Sequence, residues 1–287
     1  MMHTDQKYPS QKNSLSNQHS IIAIIAGTGN IPLQAISALQ ENNTDFFVIS
    51  LFPESNLEAL EQASRDPSKV ITHKYYRIGN IKQTLLDNNT THVLFIGKVD
   101  KRNLLQKLSF DWEALALLSS LAYKHDTSIM ELIVETVEKL GITVLHQNDV
   151  LQQLQMDPGV LWGKVTSDMQ KSIDSGMAMA AKLSECDIGQ TVVVKDTMII
   201  AVEAIEGTDE CIRRGIALGK GNVIICKTAH KKQNNKYDMP TLGPATLDVI
   251  QKGEVAVLAW QADKTLIANK ELFIQLAQEK NIVLVAL

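Results

Sequence analysis

A chain of 287 residues, 45% of them hydrophobic, carries enough apolar material for about two packed domains, which excludes a disordered or fibrous protein. Its 28 Lys+Arg against 32 Asp+Glu leave a net charge of -4, so it is not built mainly to hold nucleic acid through counterion release. Three cysteines, Cys186, Cys211 and Cys226, stand in no CxxC spacing; they indicate neither a disulfide framework nor a zinc ribbon and fit a reducing cytoplasm.

Residues 1–20 are polar, lack the apolar run of a secretory signal and read as a flexible tail. From Ile21 to about His146, short apolar runs alternate with amphipathic stretches, the pattern of a parallel sheet flanked by helices. Strands are expected at Ile21 to Ala26, Phe46 to Leu51, weakly near His73 to Arg77, at His92 to Ile96 and at Ile142 to His146. Helices are expected at Leu33 to Glu41, Asn80 to Asp87, Glu113 to Tyr123 and Ile129 to Leu140. This is a Rossmann-like domain over 21–147. The Pro158-Gly159 turn marks a change of character, with a boundary between residues 147 and 160 and a second domain over 148–287. There a Met- and Ala-rich helix spans Asp168 to Leu183. Strands at Thr191 to Val194 and Met198 to Ala204, joined by Lys195-Asp196-Thr197, form a hairpin and are antiparallel by necessity. Further strands at Asn222 to Cys226, Val255 to Trp260 and Ile282 to Ala286 alternate with helices near Asp209 to Ala217, Ala245 to Lys252 and Lys270 to Glu279. The fold class is α/β, with a parallel sheet in the first half and a mixed sheet in the second. No run reaches the roughly 18 apolar residues of a membrane-spanning helix, although surface contact with a bilayer needs only an exposed apolar patch.

Several stretches carry candidate chemistry. Gly27-Thr28-Gly29-Asn30-Ile31-Pro32 ends the first strand, and its two glycines let backbone approach a ligand at a helix amino end. The third glycine of a dinucleotide fingerprint would fall at Pro32, and the second strand ends in Ser50-Leu51 without a ribose-binding acid, so a phosphate contact and a simple tight turn are equally good readings. Gly97-Lys98 emerge at another strand end, where Lys98 could meet a phosphate. In AVEAIEGTDECIRRG, Glu203 and Glu206 fall in or near an apolar strand; a buried carboxylate there requires a cation, either Arg213 or Arg214, or a metal ion. Gly207-Thr208-Asp209 reads as a helix cap. Between Glu210 and Asp238 there is no acid, while Arg213, Arg214, Lys220, Lys227, Lys231, Lys232 and Lys236 supply seven positive charges. This cationic segment ends at Asp238, followed by Met239-Pro240-Thr241-Leu242-Gly243-Pro244. It suits a polyphosphate substrate whose charge is neutralised by Lys and Arg while an acid positions a metal ion or water. A nucleic-acid patch fits less well, since only Tyr237 could stack. Cys226 at a strand end reads as core.

The order and spacing of IIAGTGNIPL, IGKVDKRNL, CDIGQTVVVKD, AVEAIEGTDECIRRG and YDMPTLGP resemble the LpxI-type UDP-2,3-diacylglucosamine pyrophosphatases of lipid A biosynthesis, over Ile21 to Leu287. The resemblance implies a two-domain enzyme that binds its lipid-sugar between a Rossmann-like half and a distinctive second half. It implies hydrolysis of UDP-2,3-diacylglucosamine to UMP and 2,3-diacylglucosamine 1-phosphate, water attacking the α-phosphorus with Mg²⁺ or another divalent metal such as Mn²⁺. The essential aspartate of the DxPxxGP motif matches Asp238. Asp238, Glu203, Glu206 and Asp209 are then the candidate metal-associated acids. Gly27, Thr28, Gly29, Asn30, Gly97, Lys98, Thr208, Lys227, Lys232, Lys236, Thr241 and Gly243 are the candidate substrate contacts. The chain departs from the family at His230-Lys231, where Lys-Pro is usual, at Lys236, where Arg is usual, and at Asp126-Thr127, which keeps one aspartate of a pair. Transient docking on the cytoplasmic face of a membrane follows from a diacylated substrate, and a homo-oligomer is left open. A nicotinamide-dependent oxidoreductase at Gly27 to Pro32 and a non-catalytic sensor of nucleotide-sugars are the competing readings.

Overall fold

The computed structural model describes residues 20–98, 129–229 and 234–287. The polar tail, the helix expected at Glu113 to Tyr123, and Asp126, His230, Lys231 and Lys232 lie outside the described residues. The chain divides into two compact units, the first ending at Val150 and the second spanning Leu151–Leu287.

The first unit holds a five-stranded parallel sheet of order β3-β2-β1-β4-β5. Its strands are β1 (Ile21–Ala26), β2 (Asp45–Ser50), β3 (Val70–Thr72), β4 (His92–Ile96) and β5 (Thr143–Val144). β1 and β2 are apolar at almost every position and buried on both faces, as a helix-covered parallel sheet requires. Helix α1 (Ile31–Glu41) starts at the preorganised backbone of Pro32 and buries Ala35, Ile36, Ala38 and Leu39. Helix α2 (Pro53–Ser64) has no counterpart in the sequence reading. Its buried residues are Asn56, Leu60 and Ser64, spaced four apart but two of them polar, so no apolar period announces it. Helices α3 (Ile78–Asp87) and α4 (Ile129–Glu138), a 3-10 turn at Pro67–Lys69 and a single helical turn at Gln147–Val150 complete the described part of this unit. The strand expected at His73 to Arg77 is displaced: pairing stops at Thr72. The residues beyond it form a turn in which Tyr75 stacks on Phe52, with centroids 5.5 Å apart, and meets Tyr76 edge-on. Aromatic β-propensity is spent there on ring packing instead of a ladder.

The second unit is built on a six-stranded mixed sheet of order β6-β13-β11-β9-β7-β8. It comprises β6 (Gly159–Trp162), β7 (Thr191–Lys195), β8 (Met198–Val202), β9 (Val223–Lys227), β11 (Val255–Trp260) and β13 (Val283–Ala286). The hairpin expected between β7 and β8 is present and antiparallel, its turn made by Asp196 and Thr197, both at positive φ, the geometry of a two-residue turn matched to strand twist. Side chains alternate along β7. Val192 and Val194 join the core under helix α5 (Ser167–Glu185), whereas Val193 joins that of helices α6 (Thr208–Gly219) and α7 (Lys270–Lys280). Two strands escaped the sequence reading for want of length: β10 (Thr241–Leu242) and β12 (Leu266–Ile267) pair in parallel over two residues each. β6 escaped because its residues follow Pro158-Gly159; it pairs antiparallel to β13 at the sheet edge. The helix expected to reach Lys252 ends at Asp248. Among the described residues no helix is long and apolar enough to cross a membrane.

Cys211 and Cys226 are buried and burial pushes both thiols up to about 12, while Cys186 is exposed. An aromatic disulfide reagent at pH 8 should therefore titrate one thiol in the native chain and three in denaturant. Rapid labelling of more than one native thiol would contradict this packing.

Candidate functional site

In the first unit, β1 and β4 are neighbours at the point where the strand order reverses, the place where open α/β sheets take ligands. Here the two strand ends are stitched together. Thr28 and Lys98 exchange both backbone hydrogen bonds at 2.8 Å, the Thr28 hydroxyl donates to the Lys98 carbonyl, and the Gly27 amide donates to Ile96. A Cβ on Gly27 would lie 2.6 Å from the Lys98 carbonyl oxygen. At Gly97, where φ is +100°, a Cβ would lie 2.9 Å from Gly27 and from the Pro32 ring. Loop-to-loop packing thus accounts for Gly27 and Gly97. Behind them, the Ser50 hydroxyl donates to the buried Asn56 side chain, whose amide donates to the Gly27 carbonyl at 2.7 Å. Gly29, Asn30 and Lys98 remain exposed on this edge.

In the second unit, the ends of β8 and β9, the start of β7 and the amino end of α6 meet. Lys227 is the last residue of β9 and only 7% exposed. Its ammonium donates to the Thr208 hydroxyl at 2.9 Å and to the fully buried Thr191 hydroxyl at 3.5 Å. Thr208 in turn donates to Glu203 Oε1 at 2.9 Å, and the Gln190 amide donates to Glu203 Oε2. Thr208 is the first residue of α6 and Gly207, at φ +85°, precedes it. The expected cap is thus present at Gly207, and the Thr208 hydroxyl is committed to Glu203. Glu206 is separate: it pairs with Arg214 at 2.6 Å, and its own backbone amide and the Arg214 guanidinium hold its carboxyl below the usual range. Asp209 is exposed in the first turn of α6.

The cationic run in the sequence is not one patch in space. Arg213 pairs with Glu210 and Arg214 with Glu206. Lys220 ends α6, about 18 Å from Thr208 along a 12-residue helix. What remains with the site is Lys227 and the loop that leaves β9. That loop is held where it leaves β9. Gln261 accepts from the Thr228 hydroxyl and the Ala229 amide, and Ser184 donates to the Ala229 carbonyl. From Asn234 the chain makes a local turn, in which the Asn234 carbonyl accepts from the backbone amides of Tyr237 and Asp238 and its side chain accepts from the Lys236 backbone amide. Asp238 then stands exposed beside buried Met239 and Pro240. The segment after it is clamped by Leu266 and Ala268 amides on the Pro240 and Leu242 carbonyls, with Thr241 in β10. Gly243 is buried where a Cβ would press on Ala268 at 3.0 Å.

The acids expected around a metal are not gathered. Both Glu203 oxygens and both Glu206 oxygens accept hydrogen bonds from protein groups. Among the described residues no three His, Cys, Asp or Glu side chains converge on one point. The described residues thus do not form a protein-only cage. An exposed carboxylate such as Asp238 fits the other common arrangement, in which Mg²⁺ is held by one or two carboxylates together with substrate phosphates.

Sequence reasoning missed Thr191, Gln190, Gln261 and Asn56. Only Thr191 left a trace, as the polar first position of an otherwise apolar strand. Residues 21–154 match the LpxI N-terminal domain and residues 157–285 the LpxI C-terminal domain. The chain is 26% identical over 273 residues to the UDP-2,3-diacylglucosamine pyrophosphatase LpxI of Caulobacter vibrioides, a match covering 90% of this chain and 94% of that protein. With both halves matched in order and almost the whole length covered, the chain belongs to the LpxI family.

Proposed function

We propose that this protein hydrolyses the pyrophosphate bond of UDP-2,3-diacylglucosamine, giving UMP and 2,3-diacylglucosamine 1-phosphate for lipid A synthesis. The observation that carries the reading is the Asp238 segment. It keeps the DxPxxGP pattern and presents one exposed carboxylate between two anchored stretches of backbone, in a chain whose Caulobacter relative bears the name of that activity.

In this reading, cleavage by water at the α-phosphorus needs three things of the chain. The pyrophosphate charge must be met by fixed cations, and we assign this to Lys227 together with Lys232 and Lys236 of the loop that follows it. The attacking water must be oriented, and we assign this to Asp238, as a base or through a bound ion. The reacting groups must be held still, which the anchoring of the backbone at Ala229 and, past Asp238, at Pro240 and Leu242 supports. Phosphoryl transfer leaves little covalent work to the protein, so positioning and charge supply most of the rate. A divalent ion, Mg²⁺ or Mn²⁺, held by Asp238 and the substrate's own oxygens, would supply further charge neutralisation. Because the acyl chains partition into a bilayer, we take the reaction to occur during transient docking on the cytoplasmic face of a membrane.

The nicotinamide reading is weaker on this geometry, since Gly27 and Gly97 are used in packing and β2 ends in Ser50 bonded to Asn56. Replacing Asp238 with Ala should lower kcat by about 10³-fold, the scale on which groups acting in the transition state are felt, while circular dichroism stays unchanged. Retained turnover would remove Asp238 from the chemistry. Hydrolysis in ¹⁸O-water should place the label in UMP; label in the sugar phosphate would mean attack at the other phosphorus. Chelation by EDTA should stop turnover and added Mg²⁺ or Mn²⁺ restore it, and undiminished activity in EDTA would leave Asp238 as a metal-free base.

A further inference from the structure

The polar groups at the end of β9 form a hydrogen-bond chain whose direction chemistry fixes. An ammonium only donates and a carboxylate only accepts. The Thr208 hydroxyl between them therefore accepts from Lys227 and donates to Glu203, both at 2.9 Å, and its single proton has one orientation. Thr191 lies against both members, its hydroxyl 3.5 Å from the ammonium and 3.4 Å from the Thr208 hydroxyl. The acid end is tied to backbone as well: the Glu203 amide donates to the Thr191 carbonyl and the Gln190 amide to the Glu203 carboxylate. Hydroxyls from β7 and α6 thus meet the ammonium at the end of β9, and Glu203 is reached through Thr208.

A lysine stem has four rotatable bonds and ordinarily leaves its charge in water. Here the stem is buried and the head is held before any substrate arrives. A cation fixed in this way needs no reorganisation as charge develops on a phosphoryl oxygen. A hydroxyl between Lys227 and Glu203 also keeps the two charges compensated without letting them collapse into a direct ion pair that would shield the ammonium from an anion.

We infer that Thr208 is a positioning residue for pyrophosphate cleavage: oriented by Glu203, its hydroxyl fixes the Lys227 ammonium in the place where it meets the substrate phosphate. This rests on the reading above that Lys227 is a phosphate contact. It turns Glu203 from a metal ligand into the anchor of a cation.

The test is a double-mutant cycle in the full-length protein. Thr208→Val should lower kcat by roughly ten- to a hundredfold with KM within about threefold, because only preorganisation is lost. Thr208→Ser should recover kcat to within about threefold of wild type. In a Lys227→Met background the same Thr208→Val change should cost less than about twofold, since residues acting as one unit are non-additive. Thermal melting reports whether each variant folds. Independent, multiplying losses from Thr208→Val and Lys227→Met would overturn the inference, as would a Thr208→Val protein as fast as wild type. If the wild type makes no UMP, the hydrolase reading fails by itself. Calorimetric titration with inorganic pyrophosphate then decides: binding weakened about tenfold by Thr208→Val but not by Thr208→Ser supports the inference, and equal binding by all three proteins, or none by the wild type, overturns it.

Discussion

A lysine ammonium withdrawn from water at the end of a β-strand has to be answered by the fold around it. Leaving such a charge buried without partners costs several kcal/mol even after relaxation. In this chain Lys227 is answered by hydroxyls from β7 and α6, and through one of them by the carboxylate that follows β8. The order of the mixed sheet makes this meeting possible. β7 runs antiparallel to both β8 and β9, so the start of β7 falls beside the ends of the other two. α6 follows β8 after a short turn and brings its first residue to the same edge. One electrostatic requirement thus ties together the hairpin, the helix start and the strand from which the Asp238 loop departs.

That loop inherits its placement from the same edge. Gln261, just past the end of β11, and Ser184, near the end of α5, hold the backbone as it leaves β9. The two-residue pairing of β10 with β12 holds it after Asp238. These side-chain anchors, Gln261 and Ser184, are uncharged, although the segment itself is rich in lysines. The arginines counted with them in sequence are instead engaged by Glu206 and Glu210 on the turn before α6 and on α6 itself. In the first unit the equivalent edge is organised by close contact: glycines at 27 and 97 allow two strand-end loops to exchange hydrogen bonds where a side chain would intrude.

The legibility of these features in the sequence follows their physical origin. Long apolar strands such as Ile21–Ala26 and Val255–Trp260 declare themselves because burial on both faces demands uninterrupted apolar residues. The β7-β8 hairpin is legible because its turn must lie between two β-branched runs. Helix α2 is not, since Asn56 and Ser64 fill buried positions with polar groups satisfied by hydrogen bonds. At the site, Asp238 is legible from its motif and Lys227 from its place in a segment without acids. The partition of that segment into an engaged pair of arginines, a buried lysine and a pinned loop is not, because charge along a chain carries no record of which acid folds back upon it. Glu203 and Glu206 show the same limit: they are close in sequence, yet Thr208 takes one and Arg214 the other.

The proposed reaction is cleavage of a UDP-linked diacylated glucosamine at its pyrophosphate. Phosphorus NMR of the full-length protein incubated with UDP-2,3-diacylglucosamine and Mg²⁺ tests it most directly. The paired pyrophosphate resonances should decay while those of UMP and a sugar 1-phosphate grow in equal amounts. Persistence of the pyrophosphate resonances with active-site concentrations of enzyme would contradict it.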